Sequence, residues 1–179
     1  MTTMPRLLRH PGPVAPNRRE SRAEARGRAV RFHLLPGRSL HACLVAALGQ
    51  NGVASAVFTL QGGAFSRLSY CIAAPNPEGP QVARYSDPIE AGPAAAIGGG
   101  GALGRDAGGL PLVHCHALFC DAQGSVFGGH VLPHAAIVGD DPPVVHARMF
   151  AAVWIAQRPD PETAMSVFHP VPVERAHAV

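Results

Sequence analysis

The stretch that decides the fold spans residues 112–132 and reads LVHCHALFCDAQGSVFGGHVL. Its centre, Asp121–Gly124, combines an aspartate with a glycine, which is typical of a tight turn between two antiparallel strands. A turn centred near Gln123 places His116 directly opposite His130 in the partner strand. The spacing therefore predicts a β-hairpin with a defined register.

That register brings three histidines to one face of the hairpin. Directly opposite residues have Cβ atoms about 4.5–5.5 Å apart, and His114 shares the face of His116 because strand side chains alternate with a period of two. The opposite face is apolar throughout, with Cys115, Ala117, Phe119, Phe127 and Val131. One register thus predicts both a core face and a histidine face.

Three convergent imidazoles are typical of a site for a divalent transition metal, zinc first. We predict that His114, His116 and His130 are the ligands, with a fourth position left for water, a substrate or an acid from a neighbouring chain. The alternative is that these histidines face solvent or hydrogen-bond within a polar layer. His134 is too far along the strand to share the ion, roughly 13 Å from His130 at about 3.3 Å per residue.

Patterns on either side of the hairpin predict one helix and a series of short strands. Val30–Leu34 alternates apolar with polar residues, which indicates a first strand. Ser39 is a suitable N-cap for a helix over Leu40–Leu48, which glycines then end. Further strands are predicted at Val53–Leu60, Phe65–Ile72, Gln81–Tyr85, Leu112–Cys120, Val126–Val138 and Val144–Ala156. The tract Gly98–Gly101 is predicted to be a loop or an irregular strand end.

Together these elements predict an α+β fold, a curved and mainly antiparallel β-sheet with one principal helix. The length of 179 residues favours one domain. We place it at residues 28–157, between a basic tail over 1–27, predicted to be disordered, and a C-terminal extension over 158–179. No apolar run is long enough to span a bilayer and no signal peptide is recognised, so we expect a cytoplasmic protein without a membrane partner.

Positive charge is concentrated at the N-terminus. The first 31 residues contain eight arginines and two glutamates, whereas the rest of the chain contains seven arginines and ten acidic residues. This pattern fits either a solvated tail or a phosphate-binding arm. For the second reading, the candidate DNA contacts are Arg18, Arg19, Arg22, Arg26 and Arg28, and binding would be weak and independent of sequence.

The four cysteines, Cys43, Cys71, Cys115 and Cys120, have no C-x-x-C spacing and lie in apolar surroundings. We expect buried free thiols, because a disulfide framework or a cysteine-based zinc site needs a different pattern.

The histidine segment resembles the PPC domain (plants and prokaryotes conserved), a domain of unknown function. Members have a hydrophobic-H-x-H strand, an acidic-x-x-G turn and a G-G-H strand, which here are Val113–His116, Asp121–Gly124 and Gly128–His130. Pro36-Gly37 before the helix looks like the family's start, and Asp87–Glu90 looks like its acidic-Pro-x-Glu strand. The resemblance covers most of the chain and indicates a bacterial stand-alone member.

The resemblance implies an α+β subunit that assembles as a homotrimer, with the histidines as zinc ligands in some prokaryotic members. In plants the domain follows an AT-hook that binds A·T-rich minor grooves, and prokaryotic relatives are often named as DNA-binding proteins. Arg26-Gly27-Arg28 lacks the prolines of such a hook. The fold is also similar to acetolactate decarboxylase, whose zinc is held by histidines.

These features leave three hypotheses for function. The first is a trimeric, zinc-containing binding or regulatory module, associated with DNA through the basic tail. The second is a zinc-dependent enzyme acting on a small carbonyl or carboxylate substrate, with Glu90 as the candidate general acid/base or outer-shell partner. The third is a metal that is only structural, at a subunit interface.

Overall fold

The computed structural model describes residues 9–17, 19–25, 27–49, 53 and 55–173. The one helix among these residues is α1 (Leu40–Gly49), and it is too short to cross a membrane. The strands, in chain order, are β1 (Arg28–His33), β2 (Ser55–Gln61), β3 (Ala64–Arg67), β4 (Ser69–Cys71), β5 (Ala73–Pro75), β6 (Ala83–Tyr85), β7 (Ile89–Glu90), β8 (Ala94–Arg105), β9 (Pro111–Cys120), β10 (Val126–Val131), β11 (Ile137–Val138), β12 (Val144–Phe150), β13 (Val153–Asp160) and β14 (Met165–Pro172).

Twelve of these strands form one large sheet with the path β1-β12-β2-β8-β9-β10-β4-β7. β3 pairs with β8 on one side and with β11 on the other. β13 likewise pairs with β8 and with β14. All pairings are antiparallel except the single contact of Ala156 in β13 with Arg105 in β8. β5 and β6 form a separate two-stranded sheet. The predicted α+β class, with a mainly antiparallel sheet and one helix, is confirmed.

The helix covers the apolar face of the sheet. Ser39 caps it as predicted, because its hydroxyl oxygen accepts a hydrogen bond from the backbone N–H of Ala42 at 3.2 Å. The helix buries Leu40, Cys43, Leu44 and Leu48. These side chains join one core cluster with residues of the central strands, including Phe58, Phe119 and Val145. Each such buried side chain contributes roughly 1.5–3 kcal/mol relative to exposure.

The hairpin β9–β10 has the predicted register, with His116 paired to His130. The turn is closed by Asp121, whose carboxylate accepts hydrogen bonds from the backbone N–H groups of Gln123 and Ser125 at 2.9 and 2.8 Å. Gly124 has a φ of 84°, which a glycine adopts without steric cost. The predicted core face is buried at Cys115, Ala117, Phe119 and Val131, and Phe127 packs against it.

The glycine tract is not a loop, and that prediction was wrong. Gly98–Gly101 lies in the middle of β8 and pairs with β2 on one side and β9 on the other. A Cβ at Gly99 would lie 2.6 Å from the carbonyl oxygen of His116. The missing side chains therefore let β9 approach β8 closely. A register shift between Ala96 and Gly98 marks a bulge just before the tract.

The hairpin β13–β14 extends beyond the last strand expected from the sequence. Within the described part of the chain β14 pairs with β13 alone, so it is an edge strand there, where prolines such as Pro170 and Pro172 are tolerated. Two of the described N-terminal residues hydrogen-bond to the turn between β13 and β14. The backbone N–H groups of Gly12 and Ala15 donate to Glu162, at 3.0 and 2.9 Å.

Candidate metal centre

Three histidine side chains converge on the face of the sheet opposite the helix. His114 and His116 come from β9 and His130 from β10, as the hairpin register predicts. The ring centroids are 4.9 Å apart for His114 and His116, 4.8 Å for His114 and His130, and 5.3 Å for His116 and His130. One ring nitrogen of each lies within 4.8 Å of the others. The structure therefore brings together all three predicted ligands.

The electrostatics of this group favour neutral imidazoles. Desolvation, with smaller contributions from the neighbouring His114 and His116, lowers the pKa of His130 to about 4. Desolvation and then His116 also lower the pKa of His114. Both rings are therefore neutral at neutral pH, which is the state in which an imidazole binds a metal.

One atom of the group is buried without a hydrogen bond. Nδ1 of His130 has no hydrogen-bond partner in the described part of the chain, and burying such an atom costs free energy unless something satisfies it. A tetrahedral zinc ion would hold its nitrogen ligands about 3.4 Å from one another. Small rotations of three rings already this close would reach that spacing, so the residues fit a metal ion.

A cavity of about 530 Å³ opens beside two of the histidines. His114 and His130 line one side of it. Tyr85 of β6 lies 5.0 Å from the ring of His130, and Phe168 of β14 lies 6.2 Å from the ring of His114, both measured between centroids. The histidine group thus adjoins a partly open cavity as well as solvent. Neither aromatic side chain was identified from the sequence, since both come from segments remote from the hairpin.

Glu90 is not part of the histidine group. It lies on β7, where its carboxylate accepts a hydrogen bond from the hydroxyl of Ser69 at 2.7 Å. β4 separates β7 from β10, so the backbone of Glu90 is two strand spacings, roughly 10 Å, from that of His130. The structure therefore places the nominated acid outside contact with the predicted ligands.

The nominated arginines fall into two groups. Arg18 and Arg26 lie outside the described residues. Arg19 and Arg22 are exposed, and Arg22 donates a hydrogen bond to the backbone oxygen of Ser21 at 2.9 Å. Arg28 is also exposed and begins β1, paired with Met149. No contact among these residues brings them together into a site.

A different basic cluster was missed by the sequence analysis. Arg31, His146 and Arg148 line a groove of about 570 Å³ on the histidine-bearing face of the sheet. Arg31 pairs with His146, and His146 pairs with Thr59, across β1, β12 and β2. Polar and apolar residues alternate in both β1 and β12, which is the signal that the sequence offers. The local sequence does not show that these two strands pair, so the cluster was not predicted.

His41 and His134 form a second unexpected pair. Their rings stack with centroids 3.9 Å apart, and His134 lines the cavity without belonging to the group of three. Desolvation, followed by His41, lowers the pKa of His134. His134 lies in the turn after β10 rather than further along that strand, and it is not among the three histidines whose ligand atoms converge.

The four cysteines are free thiols, as predicted, with Cys43, Cys71 and Cys115 buried. Burial raises the pKa of Cys115 to about 12, so its thiol stays protonated and packs as an apolar side chain.

Comparison with known proteins gives a consistent fold. A family model described as the Plants and Prokaryotes Conserved (PCC) domain matches residues 21–141. A plant- and prokaryote-conserved (PPC) protein from Pyrococcus horikoshii is 17% identical, with a TM-score of 0.62, covering 85% of this chain and 100% of that one. No curated protein matches the sequence.

Two further solved structures share the fold. A metal-containing protein from Archaeoglobus fulgidus is 19% identical, with a TM-score of 0.65, covering 80% of this chain and 94% of that one. A protein from Ralstonia eutropha JMP134, provisionally named a DNA-binding protein, is 19% identical, with a TM-score of 0.64, covering 79% of this chain and 90% of that one.

Proposed function

The chain belongs to the Plants and Prokaryotes Conserved (PCC) domain family, and from that premise we propose that it is a metal-binding module that presents one divalent ion, zinc first, to a small ligand. One observation carries the proposal: three imidazoles, with ligand nitrogens within 4.8 Å of one another, adjoin a cavity of about 530 Å³. The metal-containing relative from Archaeoglobus fulgidus supports it.

In this proposal His114, His116 and His130 hold the ion, and the cavity gives access to its fourth position. When bound, zinc supplies a Lewis acid that can polarise an oxygen ligand. The chain's own residues shape the access: Tyr85 and Phe168 flank the histidines and reduce the water around them. Desolvation keeps two of the imidazoles neutral and ready to bind.

A binding role is favoured over catalysis by the position of Glu90. The described residues that line the cavity include no aspartate or glutamate, and the carboxylate of Glu90 is engaged by Ser69. A zinc enzyme acting on a small carbonyl or carboxylate compound is the second candidate, because the cavity beside the histidines has room for a substrate next to a bound ion. A general acid/base for that reaction would have to come from Tyr85, His134 or a neighbouring subunit.

Metal analysis of the purified full-length chain tests the proposal. We expect about one zinc-class ion per chain after reloading, and at least a tenfold weaker affinity in His114→Ala, His116→Ala and His130→Ala. His146→Ala is the matched control, because His146 is exposed on the same face of the sheet but lies in the separate groove. Full occupancy in the three variants, or none in the native chain, would overturn the proposal.

We further propose a homotrimer, in which the histidine-bearing face around β10 meets other copies. Leu118 and Val126 are exposed apolar residues, 53% and 63% accessible. By register both lie on the same face as His116. Exposed apolar residues gathered on one sheet face are typical of a surface that is covered in an assembly.

A weak association with DNA is supported by charge. The first 31 residues carry eight arginines against two glutamates, and the groove lined by Arg31 and Arg148 adds cations on the body. Such groups neutralise phosphates without reading bases. The provisional name of the Ralstonia protein points the same way.

A further inference from the structure

The cavity beside the histidines has walls of two kinds. The imidazoles of His114 and His130 are part of its lining. Apolar side chains also line it: Leu112 shares the face of His114 in β9, and the ring of Phe168 in β14 lies 6.2 Å from that of His114. A ligand that fills this space therefore meets both polar groups and apolar surface.

The positive charge of a bound metal ion would have no negative counter-charge among the described residues of the cavity lining. Three neutral imidazoles leave a bound divalent ion with its full double positive charge. The described cavity lining contains no aspartate or glutamate to offset it, and a partly buried charge without a counter-charge is costly. An anionic oxygen ligand is therefore favoured over water or a neutral molecule.

Neutral hydrogen-bonding groups also line the cavity. Tyr85, Gln157 and Ser166 supply a phenol, an amide and a hydroxyl. These groups can donate to a second oxygen of the ligand without adding positive charge. Arginine and lysine, the usual partners of phosphate, are absent from the described lining, which favours a carboxylate with a single negative charge over a phosphate ester.

We propose that the cavity binds a small monocarboxylate with an apolar tail, its oxygen on the metal and its tail against Leu112 and Phe168. The inference rests on the proposed metal-binding function and adds the ligand class. The size of the cavity, about 530 Å³, is in the range of pockets for compact ligands. It accommodates a short aliphatic chain, so affinity rises with chain length only until the cavity is full.

Cobalt(II) loaded into the full-length chain provides the test, because its visible spectrum reports both occupancy and a change of ligand. Acetate, butyrate, hexanoate and decanoate are titrated as probes, with hexylamine as a cation of similar tail. We expect affinity to rise about fourfold per methylene buried, up to a medium-length acid, and hexylamine to leave the spectrum unchanged. Equal affinity for acetate and hexanoate, or binding of hexylamine, would overturn the ligand class.

Two variants separate the cavity from the metal. Phe168→Ala removes apolar surface from the cavity and should weaken hexanoate at least tenfold with little effect on cobalt or acetate, whereas Leu110→Ala, at an exposed position outside the cavity lining, should leave both unchanged. Leu112→Ala enlarges the space and should move the preferred acid to a longer chain, even if the Phe168 variant fails to fold. A native chain that binds cobalt without chain-length preference refutes the inference alone; a chain that binds no cobalt refutes the proposed function.

Discussion

Gly101 in β8 lies so close to β9 that a Cβ at this position would collide with the carbonyl oxygen of His114. The same Cβ would lie 2.9 Å from the ring of the core residue Phe58. The backbone that carries the histidines is thus positioned partly by the absence of a side chain on the neighbouring strand. This contact connects the glycine tract of β8 to the geometry of the candidate metal centre.

Gly101→Ala should therefore lower the free energy of unfolding by about 1–3 kcal/mol, the usual effect of overpacking. Gly98→Ala is the matched control, because its Cβ would meet only the backbone oxygen of Leu60, at an ordinary 3.5 Å. Replacing a strand glycine that has room stabilises by roughly 0.5–1 kcal/mol or is neutral. Denaturant unfolding at fixed protein and metal concentration distinguishes the two, and equal losses in both variants would contradict the argument.

The β9–β10 hairpin could be predicted from local sequence, whereas the glycine tract of β8 and the cavity could not. The turn at Asp121–Gly124 and the two-residue alternation fix the register of His116 and His130 locally, so the site could be predicted. Glycine has no side chain, so the tract Gly98–Gly101 shows no alternation of polar and apolar residues. The prediction of a loop there was wrong for that reason. The cavity needs Tyr85 and Phe168 from distant strands, and no local pattern encodes which distant segments meet.

Glu24 gives the N-terminal segment a pH-dependent attachment. Its carboxylate accepts hydrogen bonds from the backbone N–H groups of Ala152 and Ala151, and these bonds lower the pKa of Glu24. A lowered folded-state pKa means that the contact stabilises the protein above the usual pKa of glutamate and is lost as pH falls through the lowered folded-state value.

We expect the amide NMR signals of Ala151 and Ala152 to shift together with the carboxyl signal of Glu24, at a midpoint below that of an ordinary glutamate. Glu24→Gln should remove this transition, because the amide side chain does not titrate. Glu78→Gln is a suitable control, since Glu78 lies in the turn between β5 and β6. A Glu24 midpoint at or above the usual value would contradict the attachment.

The proposed homotrimer predicts a mass of three times the 18.6 kDa chain in light scattering at micromolar concentration. Leu118→Arg should reduce that mass, because a charge on the histidine-bearing face is costly to bury in an interface. Leu110→Arg is the control: Leu110 is 66% exposed, but it lies in the β8–β9 turn rather than within a strand. A monomer mass for the native chain would defeat the proposal.

DNA binding, if it follows the charge of the first 31 residues, should be weak and should not distinguish A·T-rich from G·C-rich probes. Arginines outside a fixed groove register meet phosphates but do not hold bases, and each phosphate neutralised steepens the decline of affinity with salt. We therefore expect filter binding to weaken steeply between low and physiological salt. A chain lacking residues 1–28 should lose the binding.

Truncation also removes the hydrogen bonds of Gly12, Ala15 and Glu24 to the body, so a full-length variant is needed beside it. Replacing Arg18, Arg19, Arg22 and Arg26 with glutamine keeps those contacts and should give a large part of the loss, because four of the seven arginines that the truncation removes are replaced. Arg148→Gln, in the groove, should give a smaller loss, because one cation among many is removed. Tight, A·T-selective binding that survives both the truncation and the four-arginine variant would instead identify the sheet face around Arg31 and Arg148 as the surface that recognises DNA.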